Sequence, residues 1–324
     1  MSDTPGWTPP TDPGAQVPPP GYGAAPGWGP APGYGVPPYG TSYRWGMAAA
    51  PKPGIVPLRP LGLGEILDGG FSVIREHPKV TLGLSALVVT ATTLLTFAIN
   101  VTDALSTGTG STSAFGGGGF TLARIASLAI GGIGQLVLAG MLTVVMGEAV
   151  LGRPATIGAT WAKVRPRFWP LLGAGIVTTI GPILAACALL IPGIFLWGAW
   201  ALTTPALVLE RLGVGAAIRR SWRLAVPDWW RVWGIRALSY LIAVAVQAVV
   251  TIPVVILAFV VGGGLASDTG SVTSLAILSV GSIVGGTITA PFTSGVLALL
   301  YIDRRIRVEG LDVTLAQAAA AGPA

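Results

Sequence analysis

Six long apolar runs, each separated from the next by a short polar, basic or glycine-rich stretch, fill the last three quarters of the chain. They fall at about 80–101, 124–150, 169–190, 194–209, 232–261 and 272–300. Most reach the roughly 20 residues that a helix needs to cross a bilayer. The pattern predicts an all-α integral membrane protein with six transmembrane helices. The fourth run is short, so Trp197 and Trp200, or local thinning of the bilayer, must help it across. Ile191-Pro192-Gly193 reads as a tight turn between the third and fourth helices. Pro182 and Pro291 predict kinks, and Pro253 a kink or a break. Gly281 and Gly285 form a G-x-x-x-G pattern and are candidate helix-packing positions.

A second periodicity precedes every other run. In 58–77, Leu63, Ile66, Leu67, Phe71 and Ile74 follow helical spacing, with Glu65, Asp68, Ser72, Arg75 and Glu76 on the other sides. In 152–168, Ile157, Trp161, Val164 and Phe168 form the stripe, and Lys163, Arg165 and Arg167 are the cations. The strongest case is 210–234. There Val214, Ala217, Ile218, Ser221, Trp222 and Ala225 share one face of a predicted helix, and Arg219, Arg220 and Arg223 the other. That describes a helix lying on the inner leaflet, apolar side down. A plain basic loop on the cytoplasmic side accounts for the same cations, and both readings stay open. The segments opening at Leu63, Ile157 and Val214 align with one another. They predict three units, each an interfacial amphipathic helix followed by a transmembrane hairpin.

Charge sets the orientation. Lys52, Arg59, Arg75 and Lys79 precede the first span, and Arg153, Lys163, Arg165 and Arg167 lie between the second and third. Arg211 to Arg236 lie around the loop from four to five, and Arg304, Arg305 and Arg307 follow the sixth; Arg124 alone falls on the opposite side. Cytoplasmic loops carry the excess of Lys and Arg, so both termini are expected in the cytoplasm of a multi-pass plasma-membrane protein. The net charge is +6 and the pI about 9.9, but the cations sit at the ends of apolar runs. Anionic phospholipid is therefore the expected counter-charge, and nucleic acid is not an expected partner. A mean hydropathy of +0.72 and 10% charged residues separate the chain from soluble domains, which carry roughly 25%.

Residues 1–54 are dominated by Pro, Gly, Ala and Tyr, with no signal-peptide pattern. They predict a disordered cytoplasmic tail, either a spacer or a weak docking point for a protein partner through its spaced Tyr and Trp. Residues 55–311 form the expected membrane domain, and 312–324 a short C-terminal tail.

Candidate chemistry is sparse. His77, the single histidine, sits in a juxtamembrane linker, and Cys187, the single cysteine, in an apolar run. Neither a Ser/His/Asp set nor a metal site can be assembled, and the Gly116–Gly119 run lacks the Lys-Ser/Thr ending of a phosphate loop. No catalytic residue and no cofactor are expected. The candidate site is instead a lipid-headgroup interface: Arg219, Arg220, Arg223, Trp222, Trp229, Trp230, Lys163 and Arg167. Glu148 is expected to reach the interface or pair with Arg153, and Gln247 is a strongly polar group deep in a span. The reading is a non-catalytic protein that organises lipid or scaffolds partners. The alternative is a transporter or lipid-translocating protein using helices broken at Gly and Pro.

Two stretches carry a family resemblance. PLRPLGLGEILDGGFSVIREHP before the first span, and PALVLERLGVGAAIRRSWRL after the fourth, resemble the actinobacterial membrane domain found beside glycerophosphoryl diester phosphodiesterases. Within that group, the Pro/Gly/Tyr-rich head followed by six spans is similar to the mycobacterial proline- and glycine-rich transmembrane proteins. The resemblance covers about 56–311 and implies a six-span membrane domain. In the enzymes of that name a separate soluble barrel performs the hydrolysis, using His and acidic residues. This chain has one His and no soluble stretch to hold such a barrel, so the resemblance implies only the non-catalytic part.

Overall fold

A computed structural model describes residues 59–107, 122–261 and 272–310. The expected tail at 1–54, most of the loop after the first span, the loop at 262–271 and the tail beyond 312 lie outside the described residues. Among those described, the chain is helical throughout, with no strand. The helices are α1 (Leu63–Glu76), α2 (Pro78–Thr107), α3 (Leu122–Val150), α4 (Ile157–Val164), α5 (Phe168–Ala188), α6 (Leu190–Ala199), α7 (Thr203–Leu209), α8 (Val214–Ala225), α9 (Trp229–Val261) and α10 (Val272–Glu309). Six helical stretches are long and apolar enough to span a membrane. Outward-facing side chains such as Leu87, Leu94, Leu128, Ile180, Leu184 and Val249 are exposed, a surface that water would not tolerate.

The packing follows chain order in pairs. α2 lies against α3, α5 against α6, and α9 against α10, with α10 also packed on α1, α2 and α3. α10 is the central helix, and its buried residues include Phe292, Val296, Leu299, Leu300 and Tyr301. Close approach is bought with glycine. A Cβ on Gly281 would lie 2.8 Å from Val254, and one on Gly285 would lie 2.3 Å from the Gln247 amide, so both face α9.

Several local expectations change. The turn between α5 and α6 is the single extended residue Leu189, and Pro192-Gly193 are helical. Pro192 stands in the first turn of α6, where a missing N–H costs nothing. The fourth span starts at Leu190 and is itself interrupted, with Trp200 to Leu202 forming a turn between α6 and α7. α9 runs without a break through Pro253, and α5 and α10 run through Pro182 and Pro291. α2 continues to Thr107, into what reads in sequence as loop. Finally, α10 does not stop at Leu300: the basic segment Tyr301–Arg307 forms two further helical turns, most of them buried.

The short helices α1, α4 and α8 gather where α3, α7 and α10 end, at what we term the basic end. α1 starts on the Glu65 carboxylate, which accepts the Gly62 N–H at 2.7 Å. It buries Ile66, Gly69, Gly70 and Val73 against α10, with Phe71 stacked on Phe292 at 4.3 Å. α4 starts on Thr156, whose hydroxyl accepts the Ala159 N–H. α7 closes with Arg211 in the left-handed region (φ 55°) and the Leu212 N–H bonded to Leu207. Glycine usually fills that position. The sharp reversal turns α8 back against α7.

Candidate functional site

The last turns of α10 alternate acid and base, and the fold brings a partner to each. Asp303 is fully buried, and its carboxylate accepts the Leu61 N–H at 2.8 Å, Arg231 at 3.2 Å and Arg307 at 2.9 Å. Arg231 and Arg307 also donate to the Leu61 carbonyl, at 2.7 and 2.8 Å. The strand of chain before α1 is thereby pinned to α9 and α10. The residue after Asp303, Arg304, donates to the Leu224 carbonyl at 2.9 Å and to Asp228 at 2.6 Å. The third set joins Glu210, Arg220, Tyr301, Arg305 and Glu309. Arg220 holds Glu210 at 2.7 Å and Glu309 at 2.7 Å, Tyr301 donates to Glu210, and Arg305 lies 3.3 Å from Glu210. Burial pushes the Glu210 carboxyl up. Hydrogen bonds from Arg220 and Tyr301 and the charges of Arg305 and Arg220 outweigh that and hold it below its usual value.

These pairings sort the expected lipid-facing residues. Arg220 is largely enclosed and spent on two carboxylates. Lys163 is exposed but bonded to Glu148 at 2.6 Å, so the acid on α3 meets Lys163 where Arg153 was expected. Arg153 instead donates its backbone N–H to the Glu148 carbonyl, closing α3 through Gly152 at φ 68°. Arg219, Arg223 and the half-buried Arg167 have no side-chain partner among the described residues. The face expected to rest on the leaflet packs inward: Ala217, Ser221 and Ala225 are buried with Leu224, and Ser221 bonds the Ala199 carbonyl at 2.8 Å. Trp222 is exposed on the same side as Arg219 and Arg223, one turn apart. Together with Leu212, Ala216 and the paired Glu210 and Arg220 they line a recess of about 600 Å³. Trp230 is exposed, whereas Trp229 is half-buried, donating to the Phe195 carbonyl at 3.0 Å and stacking on Phe195 and Trp233.

A second concavity lies inside the bundle, between α3, α6, α9 and α10. It measures about 630 Å³ and is lined by Arg236, Gln247, Gln135, Ser239, Thr289 and Thr293 among others. Arg236 lies seven residues into α9, about 10 Å along its axis. Its guanidinium donates to the Trp197 carbonyl and sits 4.1 Å over the Trp197 ring. Sequence placed Arg236 near a span end and gave it no role. The packing of α6 on α9, which sets Trp197 over Arg236, makes it a cavity residue. The buried Asp303 and Arg304 were likewise hidden in a stretch that reads as a basic stop, although the acid within that run was a visible cue.

Among the described residues no group of three or more His, Cys, Asp or Glu is placed to hold a metal ion. A comparison of the chain with protein families, curated proteins and solved structures finds no match in any of the three.

Proposed function

We propose that this chain is a non-catalytic multi-pass plasma-membrane protein that gathers anionic phospholipid at the inner leaflet. In this reading the basic end faces the cytoplasm, as the Lys and Arg distribution requires, and both termini lie there. α1, α4 and α8 are interfacial helices, each leading into a transmembrane hairpin. The membership in the phosphodiesterase-associated membrane-domain family belongs to the same proposal, without its hydrolytic activity. One observation carries the reading: Arg219, Trp222 and Arg223 stand exposed together around a recess, while Arg220 and Arg304 are held in internal pairs. Near an anionic surface each cation is worth about 1 kcal/mol, so the two supply about 2 kcal/mol, or roughly thirtyfold in local enrichment. Quenching of tryptophan by brominated phosphatidylglycerol, against brominated phosphatidylcholine, measures this in reconstituted protein. The Arg219→Gln/Arg223→Gln double variant is expected to lose most of the anionic preference. Unchanged preference would reduce α8 to a topology signal.

A second reading, lipid translocation, is favoured by the cavity that runs along α9 from Arg236 to Gln247, facing Thr289, Ala290 and Thr293 of α10. Its test is flip-flop of fluorescent phosphatidylglycerol in vesicles: acceleration by the protein favours translocation, and its absence favours the organising role.

A further inference from the structure

The cavity holding Arg236 does not end at its polar wall. Trp197, Tyr240 and Val244 line it, and the same three residues line a neighbouring groove of about 690 Å³ between α5, α6 and α9. That groove is built from apolar groups, among them Pro182, Ile183, Ala186, Ala237 and Leu241. Its rim opens on the outer, apolar surface of the bundle, where Ile183 and Leu241 are exposed. We propose that the two together form an intramembrane binding site for one anionic lipid, distinct from the α8 surface, with the headgroup at Arg236 and an acyl chain in the groove.

Charge complementarity identifies the occupant. A guanidinium has five N–H donors and stays ionised in proteins. Here it meets one carbonyl and one aromatic face, and no Asp or Glu lines the cavity. An ionised group at this depth is costly unless an anion meets it. The other polar side chains favour the same ligand. Ser239, Thr289 and Thr293 donate their hydroxyl protons to carbonyls of their own helices, at 2.8, 2.9 and 3.1 Å. The one cationic donor left for a headgroup phosphate is therefore Arg236, with neutral donors on Gln135, Gln247 and Tyr240 lining the same cavity, while the hydroxyl oxygens remain acceptors for headgroup hydroxyls. Phosphatidylglycerol offers both a phosphate and hydroxyls. The groove supplies what a free phosphate would not need, an apolar channel leading from the charged site to the lipid phase.

Native mass spectrometry of the full chain, offered equal phosphatidylglycerol and phosphatidylcholine, tests the proposal. Wild type should hold one phosphatidylglycerol, with a preference of at least about tenfold, because phosphatidylcholine carries the same phosphate but adds a trimethylammonium cation that Arg236 repels and lacks the headgroup hydroxyls. Arg236→Gln should reduce that preference to what the headgroup hydroxyls supply, and Arg236→Lys should retain more of it. Ala237→Phe fills the groove without touching the charge and should weaken retention of both lipids. The Arg219→Gln/Arg223→Gln variant should keep this single lipid, so failure of the surface reading and failure of this one are separable. Unchanged preference in Arg236→Gln, or unchanged retention in Ala237→Phe, overturns the site. So does inorganic phosphate displacing the lipid from wild type as well as phosphatidylglycerol does. If Arg236→Gln does not fold, the wild-type competition and Ala237→Phe decide alone.

Discussion

Replacing Asp303 by Ala is the sharpest test of how the basic end is held. The carboxylate is fully buried and serves three donors: the Leu61 N–H, Arg231 and Arg307. Its removal orphans the buried Leu61 N–H, which costs about 1–3 kcal/mol by itself. Arg231 and Arg307 lose their counter-charge, and breaking a buried pair from one side costs about 3–5 kcal/mol. Two features pull the total to the lower end. Both arginines keep the Leu61 carbonyl, and their side chains are 25% and 34% exposed, so water can reach them. We expect a loss of about 3 kcal/mol. Asp303→Asn should cost less, because the amide oxygen can still accept from Leu61. Chemical denaturation of the detergent-solubilised protein gives the magnitude, and amide exchange at Leu61 reports the site, speeding up in the Ala variant. A loss below about 1 kcal/mol with unchanged exchange at Leu61 would refute the view that Asp303 clamps the entry to α1.

Two further outcomes follow from the same packing. A Cβ on Gly193 would stand 2.4 Å from the Ala186 Cβ and 2.7 Å from its backbone, which cannot swing away, whereas one on Gly234 meets nothing within 4 Å. Gly193→Ala should therefore cost about 1–3 kcal/mol and Gly234→Ala none, as read by thermal unfolding; equal effects would refute the tight α5–α6 contact. The Glu210 carboxyl is held below its usual 4.5, so its contribution is present above that value and is lost as pH falls through the lower, folded value. Unfolding midpoints should drop below pH 4.5 in wild type and less steeply in Glu210→Gln; parallel curves would show that the network does not titrate as described.

The helices themselves were legible in the sequence. Each apolar run is long enough to satisfy its own backbone in lipid, where no water can do so, and that requirement is local. The three shorter helices were legible for a related reason, the 3.6-residue spacing of their apolar positions. What the local pattern misread was which way a face turns. Ala217, Ser221 and Ala225 suit a lipid surface and a protein core equally well, and in α8 they meet α7 and its neighbours. The Pro192 misreading has the same origin, since proline both ends helices and begins them.

The candidate site divides along the same line. Sequence alone determined that cations and tryptophans concentrate in 210–234, because that is a property of composition and spacing. It could not determine which of those cations is free. Arg220 pairs with Glu210 ten residues away and Glu309 eighty-nine residues away, and Arg231 meets Asp303 across seventy-two. Pairings at such distances depend on where α10 ends relative to α8 and α9, which no short window contains. Arg236 shows the converse. Its charge was plain in the sequence, but a cavity exists only where four helices fail to close, and the gap beside α9 comes from side chains on α3, α6 and α10 together. Local hydropathy thus determined six helices long and apolar enough to cross a membrane, and tertiary packing alone decided which charges are spent in holding them together and which stay unpaired among the described residues.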